Sequence, residues 1–457
     1  MISSLIYLMG VMSSILLLLS VFVRYKKSGS VICVTDPFYI TIFFYFLYYV
    51  MGQFGRIGLD AFPDDIYIFV ALMVLISTLT VFFVTMIFDA RIKPVLSHDR
   101  THKESKIFIV AAFVCLFVGY LFWYLNFSRL GDIDYILSNL YNRVDRNAKL
   151  TELLGNLPYT HFMFIGYSFL LAACLFKGKS ILKSVVISLI TVLPLVVFYI
   201  VEGERTGLLK YVISSFFIIS FVKYGGVVFL KKKHLLIGAL LFIVMAVLGN
   251  VRSGVLTYIG TGDATQIKNQ FETKGINMIL PKEFFAVNFT TNKIVNDIVN
   301  DKQDLQLGHS YLQSLAYLFP RSVYGAFGLK KELTIADKFG ERVRLEIGRD
   351  RKMGFGMSGI AEAFANFHLI GVLVLPILLL TVVTIWRRIV SNSRSTFIVF
   401  LMAILTPVFL VVHRSAFAST FSYIAYVSLI AFVAYWSSYC LLKILSMKNN
   451  SVNFKEK

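Results

Sequence analysis

Two short connections between apolar stretches carry arginines whose surroundings suit the binding of an anion. Glu204 and Arg205 lie in the connection EGERTG, and His413 and Arg414 lie in the connection HRS. An ionisable side chain so close to a bilayer is costly unless it is paired or used, although an arginine can also simply mark the end of a membrane helix. Because the planar guanidinium binds phosphate oxygens in pairs, these connections predict recognition of a diphosphate.

A long polar segment, residues 251–358, carries two further arginines beside residues that favour turns. Arg252 lies two positions before a glycine, and Arg321 follows a proline. Arginine is ordinary in a polar loop, so each of the two either helps to hold a substrate or is a solvated loop residue.

Glu362 and His309 are the candidates for a general base. Glu362 lies near the beginning of an apolar stretch, where a carboxylate is costly unless it is paired or used. It is therefore either a base that accepts a proton from a substrate or a structural partner for one of the arginines. His309, in the sequence LGHSY of the long polar segment, either contacts a substrate or is a solvated loop histidine.

The sequence offers no assembled metal or cofactor site. Asp132 and Asp134 have the spacing of a metal-binding Asp-x-Asp pair, but no third ligand is evident. The four cysteines form no Cys-x-x-Cys pair and lie in or at the edge of apolar stretches. Neither a glycine-rich phosphate loop nor an HExxH or GxSxG sequence is present. We therefore expect chemistry that uses no metal and no cofactor.

Eleven apolar stretches must position these residues. The chain is 57% hydrophobic and 16% charged, whereas soluble domains carry about 25% charged residues. Each stretch is long enough to cross a bilayer, which takes about 20 mostly apolar residues. We therefore predict an all-α polytopic membrane protein, a single membrane domain over 1–457 with the loop 251–358 inserted between helices 8 and 9. The stretches are 4–23, 37–55, 66–88, 107–126, 159–176, 184–201, 206–222, 234–250, 359–386, 395–412 and 415–440.

Part of the long loop is predicted to be helical. Its stretch YLQSLAYLF, residues 311–319, has apolar residues at helical spacing and ends at Pro320. A pattern of this kind suits a helix that lies on the membrane surface.

The net charge of +19 is distributed in a way that orients a membrane protein. Alternate connections, together with the C-terminal tail, carry 22 Lys and Arg residues, and the intervening short connections carry 7. Because cytoplasmic loops carry the excess of Lys and Arg, the N-terminus and the long loop are predicted to be periplasmic and the C-terminus cytoplasmic. The positive charge therefore indicates contact with anionic membrane lipid and argues against nucleic acid as a partner.

Four segments, taken in order, resemble the bacterial O-antigen polymerase family, the Wzy-type polymerases of oligosaccharide repeat units. The similarity covers roughly residues 200–425 and extends to the O-antigen ligases. Members of the family often have glycine where this chain has His368 and Ser415. The segments are GERTG at 203–207, GHSYL at 308–312 with FPR at 319–321, GIAEAFANFH at 359–368, and HRS at 413–415.

The resemblance implies a GT-C-type membrane glycosyltransferase in the bacterial inner membrane. Its substrate would be an oligosaccharide on undecaprenyl diphosphate, and a chain-length regulator protein would be a further partner to look for. The growing chain would leave its carrier and join the non-reducing sugar of an incoming unit at the periplasmic face. Arginines suffice to stabilise a diphosphate leaving group, so the reaction needs no metal. A base on the opposite face of the sugar would give inversion.

The resemblance also assigns roles to the residues named above. Catalysis is assigned to Glu362 or His309 as the base. Binding of the diphosphate or the glycan is assigned to Arg205, Arg414, Arg252, Arg321, Glu204 and His413.

Three other functions compete with this interpretation. A ligase would move finished glycan onto lipid A core, and only the acceptor that is extended separates it from a polymerase. A non-enzymatic flippase or transporter usually has short, even loops and polar groups buried in its spans, unlike this chain. A metal-dependent lipid-linked glycosyltransferase would use Asp132 and Asp134 and would lose activity on chelation.

Overall fold

The computed structural model describes residues 2–54, 62–88, 102–128, 157–202, 205–231, 282–319, 332–346 and 356–453, with 265, 268, 324, 327 and 348 as isolated positions. These parts of the chain are helical, apart from one isolated strand-like bridge between Cys33 and Phe229. Their α-helices are α1 (Ile2–Lys27), α2 (Pro37–Tyr45), α3 (Asp64–Ile87), α4 (His102–Ser128), α5 (Tyr159–Phe176), α6 (Ile181–Ile190), α7 (Leu193–Glu202), α8 (Arg205–Tyr224), α9 (Lys282–Val299), α10 (His309–Ala316), α11 (Ile335–Glu346), α12 (Gly359–Asn392), α13 (Thr396–Leu405), α14 (Val408–Val411) and α15 (Phe417–Asn453).

Seven helices of the described residues are long and apolar enough to cross a membrane, namely α1, α3, α4, α5, α8, α12 and α15. The pair α6 and α7, bent by 80°, adds an eighth if the two count as one span. These helices confirm a polytopic membrane protein. The count of eleven spans stays a prediction, because 37–55 and 395–412 contain shorter helices and 234–250 lies outside the described residues.

The chain divides into two compact units. The first comprises Met1–Lys93, Val228–Arg388 and Val408–Tyr423, and the second comprises Pro94–Val227, Ile389–Pro407 and Ile424–Lys457. The prediction of a single membrane domain over 1–457, with 251–358 as its inserted loop, stays a prediction.

A buried cluster of charges holds one end of the first unit together. Asp36 caps the start of α2 by accepting a hydrogen bond from the Phe38 amide at 3.1 Å. Its carboxylate also accepts from Arg24 of α1 at 2.7 Å and lies 3.5 Å from Arg387 of α12. The C-terminal ends of α1 and α12 therefore lie on the same side of the bundle.

The C-terminal end of α3 lies on that side too. The ammonium group of Lys27, the last residue of α1, donates hydrogen bonds to the carbonyls of Thr85 and Phe88 at 3.3 and 3.2 Å, and also to Met86. A cation suits the carbonyl end of a helix, where the backbone leaves unpaired acceptors. Because α1 and α3 both end here, residues 37–54 must cross back between them.

Residues 37–54 make this crossing without a regular α-helix. The segment continues from α2 into a π-helical turn, Phe46–Val50, and a 3-10 turn, Met51–Phe54. A methyl group on Gly52 would lie 2.9 Å from the Phe284 carbonyl oxygen, so only glycine allows this approach to α9. The contact places α9, in the long loop, at the end of the unit opposite Asp36.

α12 is broken near its beginning and folds back on itself. Phe367 and His368 have non-helical backbone angles, which separate a short arm (residues 359–366) from a long arm (residues 369–392). A methyl group on Gly371 would clash with the Ala363 carbonyl, and one on Gly359 would lie 3.6 Å from the Leu375 side chain. These contacts make the arms antiparallel, so the span consists of the long arm alone.

The second unit is built around α4, α5, α8 and α13. Phe108 of α4 packs edge-on against Phe169 of α5 and Phe400 of α13, with ring centroids 5.2 and 5.1 Å apart. The Thr396 hydroxyl at the start of α13 donates to the Glu104 carboxylate of α4 at 2.9 Å. Aromatic rings therefore form much of this core, and the hydrogen bond from Thr396 to Glu104 ties α13 to α4.

Candidate functional site

The short arm of α12 is held in place by helices of the long loop. Residues of α9, α11 and the short arm share one apolar core with Met357 and Ala416. Beside it, the buried Asp297 of α9 pairs with Arg342 of α11 at 2.9 Å and with Lys293 at 2.8 Å. The core members on the helices are Phe289, Ile294, Ile335, Phe339, Val343, Ala361 and Ala365.

The beginning of the short arm is capped by a serine. The Ser358 hydroxyl accepts a hydrogen bond from the Ala361 amide at 2.8 Å and shares another, also 2.8 Å, with the Thr291 hydroxyl of α9. The first satisfies a free N–H at the start of the arm, and the second ties the arm to α9. These two hydrogen bonds fix the position of the beginning of the short arm and therefore the position of Glu362.

Glu362 is buried, with 1% of its surface exposed, and each carboxylate oxygen has a donor. One oxygen accepts from the Ser310 hydroxyl at 2.8 Å, and the other accepts from the Phe417 backbone amide at 2.6 Å. Phe417 begins α15, so the positive end of that helix faces the carboxylate. The side chain therefore joins three segments that are far apart in the sequence.

Asn366 connects these groups to the backbone of the long loop. Its amide nitrogen donates to the Ser310 hydroxyl and to the Glu362 carbonyl, both at 2.8 Å. Its amide oxygen accepts from the Gly308 backbone at 3.0 Å. Ser310 is held from one side by Asn366 and donates to Glu362 on the other, so its hydroxyl proton has one defined direction.

Three aromatic rings lie beside the Glu362 network. Tyr311 stacks on Phe367 with centroids 6.1 Å apart and packs edge-on against Phe417 at 5.2 Å. Burial, and secondarily the charge of Glu362, raises the pKa of the Tyr311 phenol. The phenol stays protonated at neutral pH and can donate a hydrogen bond, but it cannot act as a base.

The HRS connection precedes α15 and approaches the same part of the unit. Arg414 is half-buried, and a methyl group on Gly356 would lie 3.1 Å from its carbonyl oxygen. The His413 ring is fully buried and packs edge-on against Tyr45 and Tyr49, with centroids 6.0 and 5.3 Å away. Burial lowers the pKa of His413 to about 3, opposed by the nearby Thr41 carbonyl. The imidazole is therefore neutral at pH 7.

His309 faces away from this buried network. Its side chain is 60% exposed, and its ring nitrogen lies 3.6 Å from the Glu332 carboxylate. A hydrogen bond from His309, with the charge of Lys338, lowers the pKa of Glu332. The structure thus places the two candidate bases differently, with Glu362 enclosed and His309 in a solvated pair.

The remaining candidates cannot be placed. The backbone of Arg205 begins α8, but its side chain lies outside the described residues. Glu204, Arg252 and Arg321 lie outside them too, as do Asp132 and Asp134. In the parts of the chain that can be described, no three His, Cys, Asp or Glu side chains are grouped so that they could hold a metal ion.

His368 adopts a backbone conformation that suits glycine. Its φ of 54° and ψ of −144° occur at the break of α12, in a region that other residues rarely enter. Members of the family that this chain resembles often have glycine at this place. The turn between the two arms gives a physical reason for that glycine, because glycine adopts these backbone angles without strain. The His368 ring offsets part of the strain by packing on Phe364, with centroids 4.5 Å apart.

We expect His368→Gly to raise the free energy of unfolding and His368→Val to lower it. Glycine relieves strain of about 1–3 kcal/mol and loses a ring contact of roughly 1 kcal/mol. Valine keeps the strain and loses the contact. Thermal unfolding of the detergent-solubilised variants measures both effects. Equal unfolding temperatures for the two variants would show that the turn imposes no glycine-like geometry.

Sequence reasoning missed three groups of the Glu362 network. Asn366 lies four residues after Glu362, so helical spacing alone places it on the same face. Nothing in the sequence indicates a role for Ser310 except its place beside His309. The Phe417 group is a backbone amide, which no residue type reveals.

Comparison with known proteins identifies a family that matches the chain. A family model described as O-antigen polysaccharide polymerase Wzy matches residues 1–449, nearly the whole chain. No curated protein matches the chain, and no solved structure matches it.

Proposed function

The chain belongs to the O-antigen polysaccharide polymerase Wzy family, and we propose that Glu362 is the general base of its reaction. The protein is a multi-pass inner-membrane polymerase of the glycosyltransferase type and joins lipid-linked oligosaccharide repeat units. The observation that supports the role of Glu362 is the pair of defined donors on its buried carboxylate. Because the two donors fix the carboxylate, it would accept a proton from a substrate hydroxyl in one defined position.

The reaction takes place at the periplasmic face. The distribution of Lys and Arg supports this orientation, with the N-terminus outside and the C-terminus inside. The cluster of Arg24, Asp36 and Arg387 lies at the cytoplasmic end, and Glu362 lies near the break of α12 at the other end. The long loop, 251–358, is then periplasmic, and all eleven apolar stretches cross the membrane in a GT-C-type architecture.

Glu362 takes the proton of the acceptor hydroxyl. The acceptor is the non-reducing sugar of an incoming repeat unit, and its oxygen forms a bond to the anomeric carbon of the growing chain. The bond from that carbon to the diphosphate breaks, and undecaprenyl diphosphate leaves with the electron pair. Attack from the face opposite the leaving group inverts the anomeric centre. A substrate hydroxyl that replaces Ser310 would meet the same carboxylate oxygen.

The arginines stabilise the leaving group, so no metal is required. Arg205 and Arg414 bind the diphosphate, and Arg252 and Arg321 help to hold the substrate. Donors already aimed at a developing negative charge do not need to reorganise during the reaction. Glu204, which precedes Arg205 in the sequence, contributes to binding of the diphosphate or the glycan.

The two histidines contribute differently. His413 is neutral and buried against Tyr45 and Tyr49, so it supports the HRS turn and the position of Arg414. His309 is exposed and next in sequence to Ser310, so it contacts the glycan at the mouth of the site. His309 is also the alternative base if Glu362 proves to be only structural.

The glycan that accumulates in a deletion strain tests the polymerase function. We expect core lipid capped with a single repeat unit, because ligation continues while chain extension stops. Lipopolysaccharide gels with mass spectrometry of the capped core provide the readout, and the wild-type chain supplied in trans should restore the ladder. Full-length glycan that is not attached to core would contradict the proposal and would indicate a ligase.

A further inference from the structure

The polarity of α10, in the long loop, is reversed relative to a helix on the surface of a soluble protein. Ser310 and Ser314 are buried, whereas Leu312 and Leu315 are 69% and 52% exposed. The flanking residues Leu307 and Phe319 are also exposed. A soluble protein rarely displays such a contiguous apolar surface to water without a partner.

The exposed face of α10 adjoins the exposed face of a membrane helix. Tyr311 stacks on Phe367 at the break of α12, and a methyl group on Gly308 would lie 3.1 Å from the same ring. The long arm begins two residues after Phe367, and its second residue, Ile370, is 70% exposed and is followed by further exposed aliphatic residues. In a helix of this hydropathy, such residues face lipid.

We propose that α10 lies in the outer leaflet of the bilayer, parallel to its surface, with Leu307, Leu312, Leu315 and Phe319 among the lipids. Continuity with the lipid-facing long arm favours the bilayer over a protein partner as the occupant of this face. The serine face of the same helix forms the polar wall beside Glu362. α10 therefore separates the lipid from the carboxylate by the thickness of a single helix.

This arrangement deepens the proposed function and, in that respect, rests on it. The carboxylate lies at the depth of the lipid head groups, where the diphosphate of a membrane-embedded carrier also lies. The carrier can then approach Glu362 laterally, while its isoprenoid chain stays in the bilayer.

Nitroxide spin labels measure the position of α10 directly. Leu312→Cys and Leu315→Cys are labelled in the full chain in lipid nanodiscs, on a background in which the exposed Cys440 is replaced by serine. Leu345→Cys on α11 is the matched control, because Leu345 is 66% exposed but lies on a helix rich in charged residues. Collisions with oxygen report lipid, and collisions with a water-soluble nickel chelate report solvent.

We expect the ratio of oxygen to nickel collisions to be several-fold higher at 312 and 315 than at 345. A ratio at 312 and 315 equal to or below that at 345 would overturn the proposal. The measurement needs no substrate, so its result is independent of whether the chain polymerises repeat units.

A second pair of variants tests whether the position of α10 in the lipid affects activity. Leu312→Asp should shorten the polysaccharide ladder several-fold, because a charge on this face is expelled from the lipid, whereas Leu345→Asp should leave it unchanged. Equal ladders from both variants, at equal protein level, would count against a role of the interfacial position in the reaction.

Discussion

We expect the replacement of Glu362 by glutamine to abolish chain extension while the protein stays folded. The glutamine oxygen can still accept from the Phe417 amide, and its nitrogen can donate to the Ser310 hydroxyl, so residue 362 keeps both of its contacts and only the Ser310 hydroxyl proton loses its acceptor. An amide cannot take a proton from the acceptor hydroxyl. Loss of a general base costs about 10²–10⁴-fold in rate, which is enough to remove the ladder from a gel.

The measurement compares ladder length, protein level and thermal unfolding for Glu362→Gln and Glu346→Gln. Glu346 is an exposed glutamate of the long loop that pairs with Lys293 at 3.0 Å, and a surface pair of this kind contributes at most about 1 kcal/mol. The control should make a normal ladder. A normal ladder from Glu362→Gln would make Glu362 a structural residue, and His309 would become the candidate base.

We expect Arg205→Lys to lose most of the activity although the positive charge is retained. Lysine is a compact point charge and cannot present two parallel donors to a diphosphate. Loss of one such bond to a developing anion costs about 3 kcal/mol, or roughly a hundredfold in rate. Ladder length at matched protein level measures the effect.

Arg388→Lys is the matched control, at a residue that the distribution of Lys and Arg predicts to be cytoplasmic. Arg388 is exposed in the last turns of α12, and lysine retains the charge that contributes to orientation, so the exchange should be nearly silent. Normal ladders from Arg205→Lys would make Arg205 a topological residue. Recognition of the diphosphate would then rest on Arg414.

The membrane helices could be predicted from the sequence because hydropathy over about 20 residues is a local property. The break in α12 could not be predicted in this way. Residues 359–386 look like one continuous apolar stretch in the sequence, whereas the structure breaks it at Phe367 and His368. The fold-back depends on Gly371 meeting the Ala363 carbonyl, a contact between two arms that hydropathy does not register.

The crossing at residues 37–54 shows the same limit. Its length and apolar composition predicted a span, but not the π-helical and 3-10 turns in which it ends. Those turns depend on packing against neighbouring elements, including the approach of Gly52 to Phe284 of α9. Packing of this kind joins residues more than two hundred positions apart.

The candidate site was predictable where a residue is unusual for its surroundings. Glu362 is unusual in the sequence because a carboxylate in an apolar stretch is costly unless it is paired or used. Ser310 and the Phe417 amide did not stand out, because serines and backbone amides occur everywhere. His413 is a polar residue in a short connection, for which the sequence predicts substrate binding, yet its ring is buried against Tyr45 and Tyr49. A sequence records which groups are present but not which way they face.

A structure of the Glu362→Gln variant with a lipid-linked repeat unit in nanodiscs tests the account most directly. The substitution should stop the reaction before the proton transfer and retain both substrates. We predict the acceptor hydroxyl within about 3 Å of the residue 362 amide, and the diphosphate against the guanidinium of Arg414. An acceptor hydroxyl bound elsewhere, with residue 362 still bonded only to Ser310 and Phe417, would contradict the role of Glu362 as base.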